Sequence, residues 1–210
     1  MRSHVCRTCC TALALSTLIG CATSEDTNSG DSSVAHQGLN RAPIEMPVKM
    51  TNVDGFNQPV FRTGPAFIAG QPSEAALDRM VKQDGVTLVV NVRTPTEMND
   101  RQRVPYDEEA AAKQLGVDYV FIPLGGSDNT IYPYTPEAID RFTEAMARHN
   151  DGKVLLHCQV GFRASHVWTA YLIRTRGMSP EEALKHGKAM VVTDPPFEGL
   201  AGLKATYSAN

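Results

Sequence analysis

Val154-Leu155-Leu156-His157-Cys158-Gln159-Val160-Gly161-Phe162-Arg163-Ala164-Ser165-His166-Val167-Trp168 decides how this chain is read. An apolar run ends in a single Cys, an Arg follows after four intervening residues, and a mostly apolar segment of helical length begins there. The pattern predicts a buried strand, a tight loop over Gln159, Val160, Gly161 and Phe162, and a helix N-terminus. The backbone N–H groups of such a loop converge on one spot. The helix dipole adds partial positive charge there and Arg163 adds a full one. A thiol at the start of that loop is placed to act as a nucleophile. Cys158 is therefore the candidate nucleophile, Arg163 the candidate anion-holding group, and the loop between them the candidate substrate cradle. The plainer reading of Cys158, a small buried core residue, fits less well with its place at a strand end before a Gly-containing turn.

Working outward, the 210 residues suffice for one domain once the ends are set aside. Hydrophobic residues make up 42% and charged residues 20%, as in ordinary globular proteins. No Lys/Arg cluster stands out, which speaks against nucleic acid as a partner. Residues 1–20 read as a leader: Arg2 and Arg7 precede a short apolar run from Thr11 to Gly20, too short to span a bilayer. Leu18-Ile19-Gly20-Cys21 resembles the lipobox of a bacterial lipoprotein signal, which implies an acylated Cys21 and attachment to a membrane through its lipid. An ordinary secretory signal is the alternative. The expected address is the bacterial cell envelope, lipid-anchored, on the periplasmic side of the outer membrane. Loss of Arg2 and Arg7 takes the formal charge from −3 to −5. Cys6, Cys9 and Cys10 leave with the leader and Cys21 carries lipid, so Cys158 is the one thiol left, in an oxidising compartment.

Residues 21–58 read as a flexible tether and an extended lead-in, rich in Ser, Thr, Asn, Asp and Gly and then marked by Pro43 and Pro47. The folded domain is expected over 59–192, with a C-terminal tail over 193–210 that is weakly helical at most. Val60-Phe61 and Phe67-Ile68-Ala69 predict short strands separated by Gly64-Pro65. Ser73 caps a helix to about Gln83. Thr87 to Val92 and Val117 to Ile122 read as strands buried on both faces, with a helix from Tyr106 to Leu115 between them. Thr135-Pro136-Glu137 starts a helix, as does Ser179-Pro180-Glu181. Strands alternating with helices predict an α/β domain, a mainly parallel central sheet flanked by helices. The cysteine loop then lies at the C-terminal end of a strand, where such sheets place their sites.

Strand, Cys, short loop, Arg, helix resembles the cysteine-dependent phosphatases, including the dual-specificity type, which carry His-Cys, five residues, then Arg. Here four residues intervene. It also resembles rhodanese-like sulfurtransferases, whose loop is shorter. Three pieces together resemble the beta-lactamase hydrolase-like, phosphatase-like domain family of bacteria. These are Gly70-Gln71-Pro72-Ser73, Asn91-Val92-Arg93 and His157-Cys158-Gln159-Val160-Gly161-Phe162-Arg163, spread over roughly residues 60–190. The resemblance implies a cysteine phosphatase-like fold and hydrolysis of a phosphomonoester through a thiophosphate on Cys158, without a cofactor. The partner is then a small anionic or phosphorylated substrate.

A narrower loop suits a persulfide sulfur, so sulfur transfer is the rival reading, and an inactive anion-binding module a third. A phosphatase needs a general acid for the leaving oxygen. Asp128, on the Gly-containing loop after Ile122, is the candidate; its alternative is a solvated turn residue. His157 is read as a loop-orienting donor, Ser165 as a helix cap or thiolate partner, and Arg93 with Glu97 as a fold-supporting pair. Tyr132, Tyr134 and Phe162 line the pocket or simply pack. The six His show no metal-ligand spacing, so no metal is expected.

Overall fold

A computed structural model describes residues 41–125, 131–149, 151–191 and 197–203. The leader, Cys21 and Asp128 lie outside the described residues. In chain order the elements are β1 (Val48–Lys49), β2 (Phe61–Thr63), β3 (Ala66–Ala69), α1 (Glu74–Lys82), β4 (Val86–Asn91), α2 (Pro95–Met98), α3 (Glu108–Gln114), β5 (Asp118–Phe121), α4 (Pro136–Ala147), β6 (Lys153–His157), α5 (Phe162–Arg174), α6 (Pro180–Lys188) and α7 (Phe197–Ala201).

The strands form one sheet in the order β1-β2-β3-β6-β4-β5. β1, β2 and β3 pair antiparallel; β3, β6, β4 and β5 run parallel. β6 sits between β3 and β4, with Leu155 opposite Phe67 on one side and Val89 on the other. That central place explains its unbroken apolar sequence: Val154, Leu155 and Leu156 are fully buried. Because side chains alternate across a strand, Val154 and Leu156 join Ile68, Leu88 and Val90 under α4, α5 and α7, whereas Leu155 joins Phe67, Ala69 and Val89 under α1 and α3. Behind α5, Phe142 meets Tyr171 edge-on at 5.2 Å between ring centroids and Trp168 at 6.5 Å.

Helix starts follow their caps. Ser73 Oγ accepts from the Ala76 N–H and opens α1, as read from the sequence. α3 begins at Glu108 behind an Asp107 cap, two residues later than expected. Three features differ from expectation in kind. β5 is an edge strand with Asp118 exposed, not a strand buried on both faces; its aromatic and β-branched composition does not distinguish edge from centre. The lead-in contributes β1, two residues pairing with β2. The capped turn of α2 falls between β4 and α3, where the sequence predicted no helix.

Candidate active site

The strand β6 delivers Cys158 to the C-terminal edge of the sheet, 1% exposed, with its N–H donating to the Ala69 carbonyl at 3.3 Å. Past the end of β3 the chain keeps company with the loop. Gly70 bridges Val160 antiparallel, and the Gln71 N–H donates to the Gln159 carbonyl at 3.1 Å. The trans peptide then turns the Val160 N–H away from Gln71. Gly70 permits this approach, since a Cβ there would stand 3.1 Å from the Gln159 oxygen. Gly161 has φ +85° and is the N-cap of α5, a left-handed conformation that suits Gly. Its carbonyl accepts the Ser165 N–H, so the helix starts inside the cysteine loop.

Arg163 is buried and held by fixed acceptors. Nη1 donates to Glu97 Oε2 and to the Leu124 carbonyl, both at 2.8 Å, and lies 3.3 Å from the Val92 carbonyl; Nη2 donates to Glu97 Oε1 at 2.6 Å. A guanidinium has five N–H groups. Among the described residues these contacts leave the Nε–H and one Nη2–H, on a single edge, without a partner. Glu97 thus belongs to Arg163. Its expected partner Arg93 stands 4.0 Å away through Nε and contacts Glu97 mainly through the Glu97 main-chain carbonyl, at 3.2 Å. Glu97 is also the third helical residue of a capping box: Oε2 accepts from the Thr94 N–H at 2.8 Å and from its hydroxyl at 3.0 Å. Burial would raise the Glu97 pKa. The Arg163 hydrogen bonds, the Thr94 N–H and the Arg163 charge outweigh it and hold it at about 2. With its amide turned so that the nitrogen faces the carboxylate, Gln159 joins this cluster, donating to Glu97 Oε1 at 3.2 Å and accepting from Arg103 Nη1 at 3.1 Å. Burial lowers the Arg163 pKa, but the Glu97 bond and the Cys158 and Glu97 charges lift it above its ordinary value.

Beneath the loop lies a second carboxylate. Glu108 is buried and accepts from the Asn91 amide (2.9 Å), the Tyr119 hydroxyl (3.0 Å), the Tyr106 hydroxyl (3.2 Å) and the Gln71 amide, and it meets His157 Nε2 at 2.9 Å. Burial pushes its pKa up; His157, Gln71 and Tyr119 together bring it below the usual carboxylate range. Gln71 Oε1 in turn accepts from Arg93 Nη1 at 2.7 Å, and Asn91 Oδ1 from the Arg93 N–H at 2.8 Å. The Gly-Gln-Pro and Asn-x-Arg pieces are thereby one buried network tying β3, β4, β5 and β6 together at the edge that carries Cys158.

The remaining sequence-predicted residues fall as follows. His157 gives Nε2 to Glu108, so it anchors the network rather than orienting the loop. Ser165 neither caps α5 nor approaches the thiol as a donor; its hydroxyl donates to the Gly161 carbonyl at 2.9 Å. Tyr134, half-buried, has its pKa raised by burial, with Arg163 opposing and Cys158 reinforcing, which places it in the field of the site. Phe162 packs against His166 with ring centroids 4.3 Å apart and the planes tilted by 52°. Sequence reasoning missed Glu97 as the partner of Arg163 and missed Glu108 altogether. The Thr94-Pro95-Thr96-Glu97 capping box was the available signal for the first. An acid in the first turn of a helix reads as a dipole complement, so Glu108 gave none. Among the described residues no group of three His, Cys, Asp or Glu side chains could hold a metal ion.

None of the curated proteins matches the chain. Among solved structures, PTPMT1 in complex with PI(5)P superposes with a TM-score of 0.55 at 19% identity, covering 65% of this chain and 88% of that one. A putative phosphatase (DUF442) from Shewanella putrefaciens CN-32 gives 0.50 at 24%, covering 76% and 90%. Tk-PTP in the active form gives 0.50 at 24%, covering 66% and 92%. At these identities the likeness is one of fold: a mostly parallel sheet flanked by helices, of the cysteine phosphatase-like kind. The signature of the beta-lactamase hydrolase-like protein, phosphatase-like domain family spans residues 61–172, from β2 through the network and the cysteine loop into α5, and the chain belongs to that family.

Proposed function

We propose that the chain hydrolyses phosphomonoesters with Cys158 as nucleophile. The observation that carries this reading is the set of Arg163: one edge is fixed by Glu97 and the Leu124 carbonyl, leaving Nε–H and one Nη2–H for two phosphoryl oxygens. The Cys158 thiolate attacks phosphorus, a P–S bond forms and the P–O bond to the alcohol breaks. Asp128 gives its proton to the departing oxygen. Water then cleaves the P–S bond, releasing inorganic phosphate and restoring the thiolate. Glu97, ionised and fully engaged, is unsuited to the acid role. The four residues between Cys158 and Arg163 favour a second reading, sulfur transfer through a Cys158 persulfide, because one fewer N–H surrounds the cradle. Incubation with p-nitrophenyl phosphate, and separately with thiosulfate and a thiol acceptor, tests both against Cys158→Ser. Phosphate release that vanishes in the variant supports the hydrolase; thiosulfate turnover alone favours the rival; neither leaves an anion-binding module. We also propose that Cys21 is acylated and anchors the chain to the bacterial envelope membrane.

A further inference from the structure

The chain from Tyr132 to Tyr134 folds over the segment that follows β5. The Gly125 N–H donates to the Tyr132 carbonyl at 2.7 Å. Gly199 on α7 comes so near the Tyr134 carbonyl that a Cβ there would stand 2.6 Å from its oxygen. With its main chain held in this way, Tyr134 lays the hydroxyl end of its ring over Gly125. A Cβ on Gly125 would run into that hydroxyl and stand 2.6 Å from Cζ, so the missing side chain makes the room for the ring tip. The preceding residue, Leu124, gives its carbonyl to Arg163 Nη1 at 2.8 Å. The phenol tip is thus one residue from a backbone ligand of the arginine.

The charges of the site bear this placement out. Burial raises the Tyr134 pKa, Arg163 opposes, and Cys158 and Glu97 reinforce, so the hydroxyl keeps its proton at neutral pH. Arg163 in turn responds to Tyr134. Among the described residues the Tyr134 hydroxyl has no hydrogen-bond partner.

The cysteine loop leaves a place for such a donor. A phosphoryl group in transfer spreads its charge over three equatorial oxygens. Arg163 offers its Nε–H and one Nη2–H, and the short loop after Cys158 carries one N–H fewer than a five-residue loop would. A neutral hydroxyl beside Arg163 supplies the missing donor without adding a second positive charge.

We propose that Tyr134 is a further catalytic residue, its hydroxyl donating a hydrogen bond to a non-bridging phosphoryl oxygen in place of the N–H that the short loop lacks. The proposal rests on the phosphomonoesterase reading above.

Tyr134→Phe keeps the ring over Gly125 and removes only the hydroxyl. Calorimetry on the Cys158→Ser chain should show inorganic phosphate binding ~10-fold more weakly once Tyr134→Phe is added, the scale of a hydrogen bond to a charged group. With Cys158 intact, Tyr134→Phe should lower kcat/KM by ~10–100-fold. The factor should be the same for p-nitrophenyl phosphate and phenyl phosphate, because the non-bridging oxygens carry charge whatever the leaving group. The urea midpoint should not move. Unchanged phosphate affinity and rate overturn the proposal. A loss that grows with the poorer leaving group also overturns it, since that assigns proton transfer to Tyr134. So does a loss that accompanies a lowered urea midpoint, the mark of a packing role. A Cys158→Ser chain that binds no phosphate, with a wild type that hydrolyses neither ester, removes the phosphatase reading and the proposal with it.

Discussion

Replacing Glu97 with Gln removes the charge that holds Arg163 while keeping the side-chain size. The wild-type pair has two short bonds, 2.8 and 2.6 Å, with side-chain exposures of 9% for Arg163 and 15% for Glu97. Breaking one partner of a well-buried pair costs about 3–5 kcal/mol. Partial solvent access at Glu97, and the one acceptor that Gln retains, reduce the expected loss to ~2 kcal/mol. The pH dependence is the sharper readout. The folded-state pKa of Glu97, about 2, is depressed below an unfolded value of about 4.3. A depressed carboxylate contributes fully above the unfolded value and loses its contribution as pH falls towards the folded one. Urea unfolding should therefore show Glu97→Gln less stable at pH 7, the gap narrowing below about pH 4.5 and nearly closing by about pH 2. With Arg163 loosened, kcat/KM for p-nitrophenyl phosphate should fall by ~10–100-fold, the scale of a displaced positioning group. A gap of the same size at pH 3 and pH 7, or none at pH 7, would refute the role given to this pair.

Glu108→Ala strips one acceptor from donors on β4, β5 and β6 at once and should cost ~3–5 kcal/mol in denaturant titrations, leaving His157 buried without the partner of its Nε2; a loss under ~1 kcal/mol contradicts the network. Asp128→Asn should slow phosphomonoester hydrolysis by ~10²–10⁴-fold, most for poor leaving groups; indifference with every leaving group moves the acid elsewhere. Cys21→Ser should shift the chain from the membrane to the soluble fraction, or block its maturation, in cell fractionation. An unmodified variant that stays membrane-bound sinks the anchor.

The order of strands and helices could be read because burial writes itself into composition. Val154 to Leu156 are unbroken and apolar because β6 is central, and Ser73, Thr135 and Ser179 stand where the helices begin. Cys158, Arg163 and Gly161 were legible because their local pattern is itself the device: strand, loop, helix start. The partners that complete the site were not. Glu97 and Arg163 are 66 residues apart and Glu108 and His157 are 49 apart. Such pairings depend on which strand ends become neighbours, and β6 lies between β3 and β4 only through crossovers that periodicity does not encode. Arg93 and Glu97, four apart in the sequence, looked like natural partners. The Arg163 guanidinium from α5 took the carboxylate instead.

The capping box of α2 has a consequence for how the chain comes off the ribosome. A four-residue helix cannot sustain itself, since nucleation alone exceeds what one turn returns. Glu97 supplies the missing stability by closing on Arg163, which is synthesised 66 residues later. The turn from Pro95 to Met98 therefore lacks the partner of its carboxylate until α5 has been made and docked. The site thus closes from its C-terminal side, and a nascent chain cut short before Phe162 carries every strand of the sheet but no organised arginine clamp.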